Sequence, residues 1–494
     1  MRVILLLALI AGCAAPRYSL TVLHTNDIHG KFAPERAAWR PDSAWVGGFA
    51  PLSGALDSVR AADSRTIYID AGDLMTGNPI CDIVENGTEG GALLEMIERC
   101  GCDVISVGNH EFDLGAEHLR EFLDASGVPW VCGNVRWTAT GEALRPAYRI
   151  LERGKLRIGV IGLILTDLAG VVAQQAVQPF TVQDIADAAQ LLIDELDPQT
   201  DLIILLTHNG LEKDKELAHS ISGCDVIVGG HSHTRLTEPI IENDVIIAQA
   251  GSYLKNLGVL RLEIQGDRVR GHHGELVELL TERFQPDSAV ANYCRQFEEQ
   301  IARKYGDTIA VAATDWTRSY NGTSAIGNLL CDLLRTAYSA DFAIVNSGGI
   351  RKDIPAGPVR KLDIVELLPF VNSVTAFDAT GAELQIFAER QAAAQMSGKQ
   401  ETLQMSGIEI SYVNDQGTAR DIVPLVAGTR LEAERVYRGI SIDYVLISQA
   451  DKYLGFAPRN LQPTGVVFSD FVIAELLKST APVTPAIEPR LIQR

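Results

Sequence analysis

No stretch of this 494-residue chain is long and apolar enough to span a bilayer as a helix; the apolar run at 3–10 is far shorter than the roughly 20 residues required. Glycine and proline, 43 and 20, recur without period, which excludes a collagen-like or low-complexity protein. There is no long internal repeat and no disordered linker. Positive charge is in short supply. Lys and Arg number 43 against 63 Asp and Glu, a net charge of −20. So acidic a surface repels phosphate backbones and excludes nucleic-acid polymers as partners. A small anionic substrate needs a local source of positive charge, which a metal centre supplies. The 46% hydrophobic and 21% charged content excludes wholesale disorder, and the length suggests two or three domains.

The N-terminus reads as a signal peptide: Arg2, the short apolar core, then Ala11-Gly12-Cys13. Leu9-Ile10-Ala11-Gly12-Cys13 resembles a bacterial lipobox with Cys13 as the lipidated first residue of the mature chain; the plainer alternative is an ordinary secretory signal. Ala14 lacks the aspartate associated with inner-membrane retention, so the expectation is a periplasmic or surface lipoprotein of the cell envelope, in the outer membrane where the host has one. Its membrane contact is the lipid alone. Removing Cys13 leaves seven cysteines, Cys81, Cys100, Cys102, Cys132, Cys224, Cys294 and Cys331. An odd number cannot all pair, Cys100-Gly101-Cys102 has no partner pair at zinc-site spacing, and buried free thiols are expected for most.

Between about residues 20 and 280, β-branched runs at 20–25, 66–70, 104–107, 158–163, 202–207 and 226–228 alternate with helical patterns at 91–100, 116–125 and 185–196. This alternation predicts a layered α/β domain. A helix follows at 287–305, and the character then changes to α+β. The expected organisation is a leader at 1–12, a catalytic domain at 18–283, a linking helix within 284–307, a second domain at 308–480 and a tail at 481–494.

The strand ends carry the chemistry. One runs into Asn26-Asp27-Ile28-His29, the next into Asp70-Ala71-Gly72-Asp73, and a third into Gly108-Asn109-His110-Glu111-Phe112-Asp113. Two more end at His208-Asn209-Gly210 and Gly229-Gly230-His231-Ser232-His233. Sites in open α/β sheets form at carboxyl strand ends, and five strands delivering Asp, Asn and His to one edge point to a metal site. Imidazole and carboxylate without thiolate suit Zn, Mn or Fe, with enough ligands for two ions. The remaining histidines, His24, His118, His219, His272 and His273, read as structural or solvated.

These motifs resemble the calcineurin-like metallophosphoesterases. Thr25-Asn26-Asp27-Ile28-His29-Gly30, together with the Gly108 and Gly229 motifs, resembles the 5′-nucleotidase/UDP-sugar hydrolase branch. In the second half Asn346-Ser347-Gly348-Gly349-Ile350-Arg351 and Leu368-Pro369-Phe370-Val371-Asn372 resemble the same branch, so the likeness runs from about residue 20 to the end. It implies a metallophosphoesterase β-sandwich flanked by helices, then a smaller α+β domain that binds substrate. It implies one divalent metal on Asp27, His29 and His233, a second on Asn109, His208 and His231, and Asp73 between them, with Asp70 the alternative bridge. His110 and Asp113 become a catalytic dyad beside a metal-bridging hydroxide that attacks phosphorus. Arg351, Tyr444 and Asp451 become substrate contacts.

The branch also departs from its pattern here. Its Asn-Asp-Tyr…Gly-Gly-Asp-Gly-Tyr loop stands as Ile442-Asp443-Tyr444…Gln449-Ala450-Asp451-Lys452-Tyr453, and residues 400–405 lack the second stacking aromatic. The resemblance therefore implies hydrolysis of nucleoside 5′-phosphates or nucleotide sugars, with 2′,3′-cyclic-nucleotide phosphodiesterase and thiosulfohydrolase activities of the same branch as alternatives. A non-catalytic binding lipoprotein would have lost ligands or the dyad, and none is lost.

Overall fold

The computed structural model describes residues 17–37, 40, 42–398 and 402–494. The leader, Cys13, and residues 400 and 401 of the segment lacking an aromatic lie outside them. Two six-stranded sheets form the first half. One has the order Val269–Glu278, Asn256–Gln265, Arg17–Thr25, Thr66–Asp70, Val104–Ser106 and Trp130–Val131. The other has the order Tyr148–Arg153, Leu156–Ile164, Leu202–His208, Val226–Gly229, Val245–Ala248 and Ile240–Glu242.

The apolar pattern of the strands dictates the layering. Leu20 and Val22 point between the sheets, where they meet Ile158, Val160, Ile204 and Leu206 of the other sheet. Leu23, one position on, faces outward against Leu52 and Leu56 of the helix Phe49–Ala62. The outer face of the second sheet is covered by Ile185–Leu196 and Leu211–Ser220. Asp184 starts the first of these by accepting the N–H groups of Ala186 and Asp187. Strands buried on both faces read as continuous apolar runs, which is why Leu202–His208 carries no polar residue before Thr207.

The central strands run parallel, with Thr25 opposite Asp70, Asp70 opposite Ile105 and Thr207 opposite Gly229. Their polar ends therefore finish level. The sequence reading gathers five such ends on one edge; the structure divides them three and two between the sheets. Packing the two sheets face to face brings them to a common rim.

Asp287 caps the helix Ser288–Tyr305 through the N–H groups of Ala289 and Val290, and the helix buries Val290, Cys294, Phe297 and Ile301 on one stripe. Beyond it a five-stranded sheet has the order Leu403–Ser406, Phe342–Asn346, Val436–Ile442, Ser373–Thr380 and Arg459–Val467. It shares one core with the helices Ala325–Ala337, Gly381–Ser397 and Phe468–Leu476. All seven described cysteines are free, and six are buried. Among the described residues no helix is long and apolar enough to cross a membrane.

Candidate metal centre and active site

The loops leaving the level strand ends converge. Oxygen and nitrogen atoms of Asp27, His29 and His233 lie within 4.8 Å of one another, as do those of Asp27, Asp73 and His208 and those of His29, Asp73 and His110. His208 Nε2 is 3.1 Å from Asp73 Oδ2, and His233 Nε2 is 3.3 Å from Asp27 Oδ1. Asn109 Oδ1 meets His231 Nδ1 at 2.8 Å, and the His231 N–H donates to Asp27 Oδ2 at 3.0 Å. The His231 and His208 rings lie edge to face at 5.3 Å. All seven metal-competent residues expected from the sequence are thus in one cluster. Asp70 sits behind it, accepting from Thr25 Oγ1 at 2.5 Å and the Gly72 N–H at 2.9 Å.

The backbone is held in an uncommon conformation to achieve this. Asp27, His29, Asp73, His231 and His233 have φ of 52°, 51°, 61°, 74° and 54°. Left-handed backbone costs a non-glycine residue on the order of 1 kcal/mol, and such strain gathers at functional sites. The glycines beside the cluster are needed for a second reason. A Cβ on Gly72 would lie 2.6 Å from the Gly108 nitrogen, and one on Gly108 would strike Asp73 Oδ1.

The donor set fits divalent metal ions. The Nε2 atoms of His29 and His233 face each other at 3.0 Å, although two unprotonated nitrogens repel. His208 Nε2 is buried and has only the Asp73 carboxylate, 3.1 Å away, within reach. The other nitrogens are fixed from behind, His208 Nδ1 on Ala71 O at 2.7 Å and His29 Nδ1 on Thr76 O at 3.0 Å, which aims Nε2 inward. Burial, reinforced by Arg351, keeps His29 neutral, and burial with charged His208 pulls His231 down to about 4. Neutral imidazole is the form that binds metal. Burial opposes charge on His208, but Asp73 and Asp27 outweigh it and push the ring up to about 10; a cation there would take the proton's place.

Beside the cluster, His110 Nδ1 meets Asp113 Oδ2 at 2.7 Å, and Thr76 Oγ1 donates to the same oxygen at 2.7 Å. Burial lowers the His110 pKa, yet Asp113 and Asp73 together raise it above the ordinary value and favour the charged ring.

Residues of the second half border the cluster. Arg351 Nη2 lies 3.3 Å from His29 Nε2, and the Phe370 ring lies 5.7 Å from His110. Tyr444 and Asp451 are placed on the 443–453 segment, Tyr444 half-buried against Tyr453 at 6.3 Å and Asp451 exposed. That segment touches the first half through Gln449 Nε2 on Ala169 O at 3.1 Å and Lys452 Nζ on Gly170 O at 3.3 Å. Across the seam, Glu366 accepts Asn78 Nδ2 at 2.7 Å, Lys31 Nζ at 3.2 Å and Lys352 Nζ at 2.7 Å.

Sequence reasoning gave no role to Phe370, Glu366, Lys31, Tyr253 or Glu111. Tyr253 packs on His29 and His233 at 5.4 and 5.5 Å. The signal for Glu111 was present inside the Gly108 motif, where it reads as one more acidic residue.

Comparison with known proteins agrees with this geometry. Residues 20–235 match the calcineurin-like phosphoesterase family, and residues 304–457 match the 5′-nucleotidase C-terminal domain. The chain is 26% identical to the 5′-nucleotidase of Vibrio vulnificus, over 96% of its own length and 93% of that protein. It is also 26% identical to Endonuclease YhcR of Bacillus subtilis over 89% of its length, but spans only 38% of that longer protein. Among solved structures, a 5′-nucleotidase precursor of Thermus thermophilus superposes with a TM-score of 0.87 at 25% identity, covering 96% of this chain and 99% of that one.

Proposed function

Because the chain belongs to the calcineurin-like phosphoesterases that carry a 5′-nucleotidase C-terminal domain, and is on that footing a metal-dependent phosphoester hydrolase, we propose that it releases phosphate from nucleoside 5′-phosphates or nucleotide sugars. One observation carries this reading. Four ring nitrogens, two carboxylates and an amide oxygen converge beside a His110–Asp113 pair, and an arginine from the other half of the chain points into the same space.

In this reading Asp27, His29 and His233 hold one divalent ion, Asn109, His208 and His231 the other, and Asp73 lies between them; zinc and manganese suit the donors. When bound, such ions supply Lewis acidity that activates water and neutralises phosphoryl charge. The chain's own groups do the rest. Asp113 orients His110, whose protonated ring donates to the oxygen on which charge develops as the ester bond breaks. Arg351 grips phosphate oxygens with its paired N–H groups. Tyr444 and Asp451 contribute to the nucleoside side of the cleft. Phe370 covers His110 and keeps bulk water from that face.

The same proposal places residues 18–283 as the catalytic domain, 284–307 as the linking segment and 308–480 as the substrate domain. It makes the mature chain a secreted lipoprotein anchored through Cys13, supported by the leader sequence 1–12 that precedes it. The test is phosphate release from AMP, UDP-glucose, a 2′,3′-cyclic nucleotide and an aryl phosphate, with manganese or zinc, beside a His110→Ala control. AMP or UDP-glucose hydrolysis, lost in the control, is the expected result. Activity on the aryl phosphate alone would remove the nucleotide part of the proposal, and no activity on any substrate with metal retained would remove the phosphatase reading itself.

A further inference from the structure

The main-chain N–H groups of Gly108, Asp73, Leu74 and Met75 lie outside every strand and helix, and buried N–H groups need partners. One side chain supplies them. Glu111, 0% exposed, accepts the N–H groups of Asp73 at 3.0 Å and Gly108 at 2.7 Å on Oε2, and those of Leu74 at 2.8 Å and Met75 at 3.2 Å on Oε1. The grip is reciprocal, because Asp73 Oδ1 accepts the His110 N–H at 2.8 Å. Each loop thus holds the other's backbone through a carboxylate. The adjoining Gly72 and Gly108 let the two loops pack so closely that neither has room for a Cβ.

Resting on the hydrolase reading above, we propose that Glu111 is a positioning residue: by binding four N–H groups from two loops it fixes the Asp73 carboxylate and the His110 ring relative to each other. The chemistry requires a carboxylate. A carboxyl group fits because both of its oxygens accept, and each takes two of the four converging N–H groups. The amide of glutamine turns two hydrogens toward N–H groups. Alanine leaves all four N–H groups without a partner. Burial and the Asp73 charge oppose the charged form of Glu111, while the N–H groups favour it.

The experiment compares the wild-type protein with Glu111→Gln and Glu111→Asp. It measures kcat and KM for p-nitrophenyl phosphate with manganese, manganese retained per chain after desalting, and the circular-dichroism melt. Loss of a group that orients ligands costs about 10–100-fold in activity or metal affinity. Glu111→Gln is expected to melt as a folded protein, to lose kcat on that scale with KM within about threefold, and to retain less manganese. Glu111→Asp, an acceptor one methylene shorter, recovers part of both. A folded Glu111→Gln with wild-type kcat and manganese content would overturn the proposal. Should Glu111→Gln not fold, the aspartate variant decides alone: reduced kcat and retention support the proposal, wild-type values in both refute it. If the wild-type protein releases no phosphate, the hydrolase reading fails, while manganese retention still tests the positioning role.

Discussion

Removing the Glu366 carboxylate should loosen one half of the molecule from the other. Its side chain is 9% exposed where it faces Lys31, 15% exposed, and Lys352, 24% exposed, and it also holds the Asn78 amide. Glu366→Ala leaves two ammoniums and an amide facing each other across the seam. Breaking a buried ion pair from one side costs about 3–5 kcal/mol. Here Lys31 keeps Glu35 at 2.9 Å and Lys352 keeps Asp363 at 3.2 Å, so about 2–3 kcal/mol is the working figure. A chain of two halves can unfold in more than one step, so the assay is a double-mutant cycle on the transition in which the halves separate. Glu366→Ala, Lys31→Ala and the double variant are compared by urea midpoint, with protease cleavage in the 284–307 segment as the reporter of separation. The expected coupling is about 1–2 kcal/mol; a value within the roughly 0.3 kcal/mol of simple additivity would refute the reasoning. Acid provides a second reading. Burial pushes the Glu366 pKa up, but Lys31 and Lys352 outweigh it and hold the carboxyl well below its ordinary 4.5. Its contribution is complete above that ordinary value and is lost as pH falls through the lowered one. Acidification should therefore weaken the wild-type seam more than that of Glu366→Ala.

Other outcomes follow from the same geometry. Dialysis against EDTA should abolish phosphate release, manganese or zinc should restore it, and metal at 100 times its dissociation constant should raise stability by about 2.7 kcal/mol in a denaturation titration. Asp113→Asn removes a group that raises the His110 pKa, so the alkaline limb of the kcat–pH profile, where the His110 proton is lost, should move to lower pH while kcat falls about 10²–10⁴-fold; an unmoved limb would take His110 out of the acid role. Arg351→Ala should raise KM for phosphate esters about tenfold or more, since a charge-assisted pair contributes roughly 1.5–3 kcal/mol. His24 is 2% exposed and held at about 4 by burial, so it stays neutral in the fold and charges on unfolding. Stability should fall between about pH 6.5 and 4 by up to about 3 kcal/mol, and His24→Gln should flatten that slope.

What the sequence made legible was local. Strand and helix positions followed from apolar periodicity, so 66–70 and 185–196 stand in the structure as Thr66–Asp70 and Ile185–Leu196. The cluster was legible because each member ends a strand, and parallel strands finish level. The division of those strands between two sheets was not, because period and length are the same for a buried strand in either. Glu366 and Lys31 stand 335 residues apart, and nothing in a lysine or a glutamate announces a distant partner. Tyr253 reads as one aromatic in a polar stretch; its place against His29 and His233 depends on two successive left-handed residues, Tyr253 and Leu254, with φ of 60° and 49°. Neither residue type foretells that conformation.

The chemistry is divided unequally along the chain. Every group expected to hold metal or move a proton lies between Asp27 and His233, whereas Arg351 and Phe370 arrive from a half with its own core. On the proposed reading, the half that cleaves and the half that chooses can vary separately. Substitutions in the 443–453 segment would then redirect the enzyme to another leaving group and leave the strained loops of the metal cluster in place.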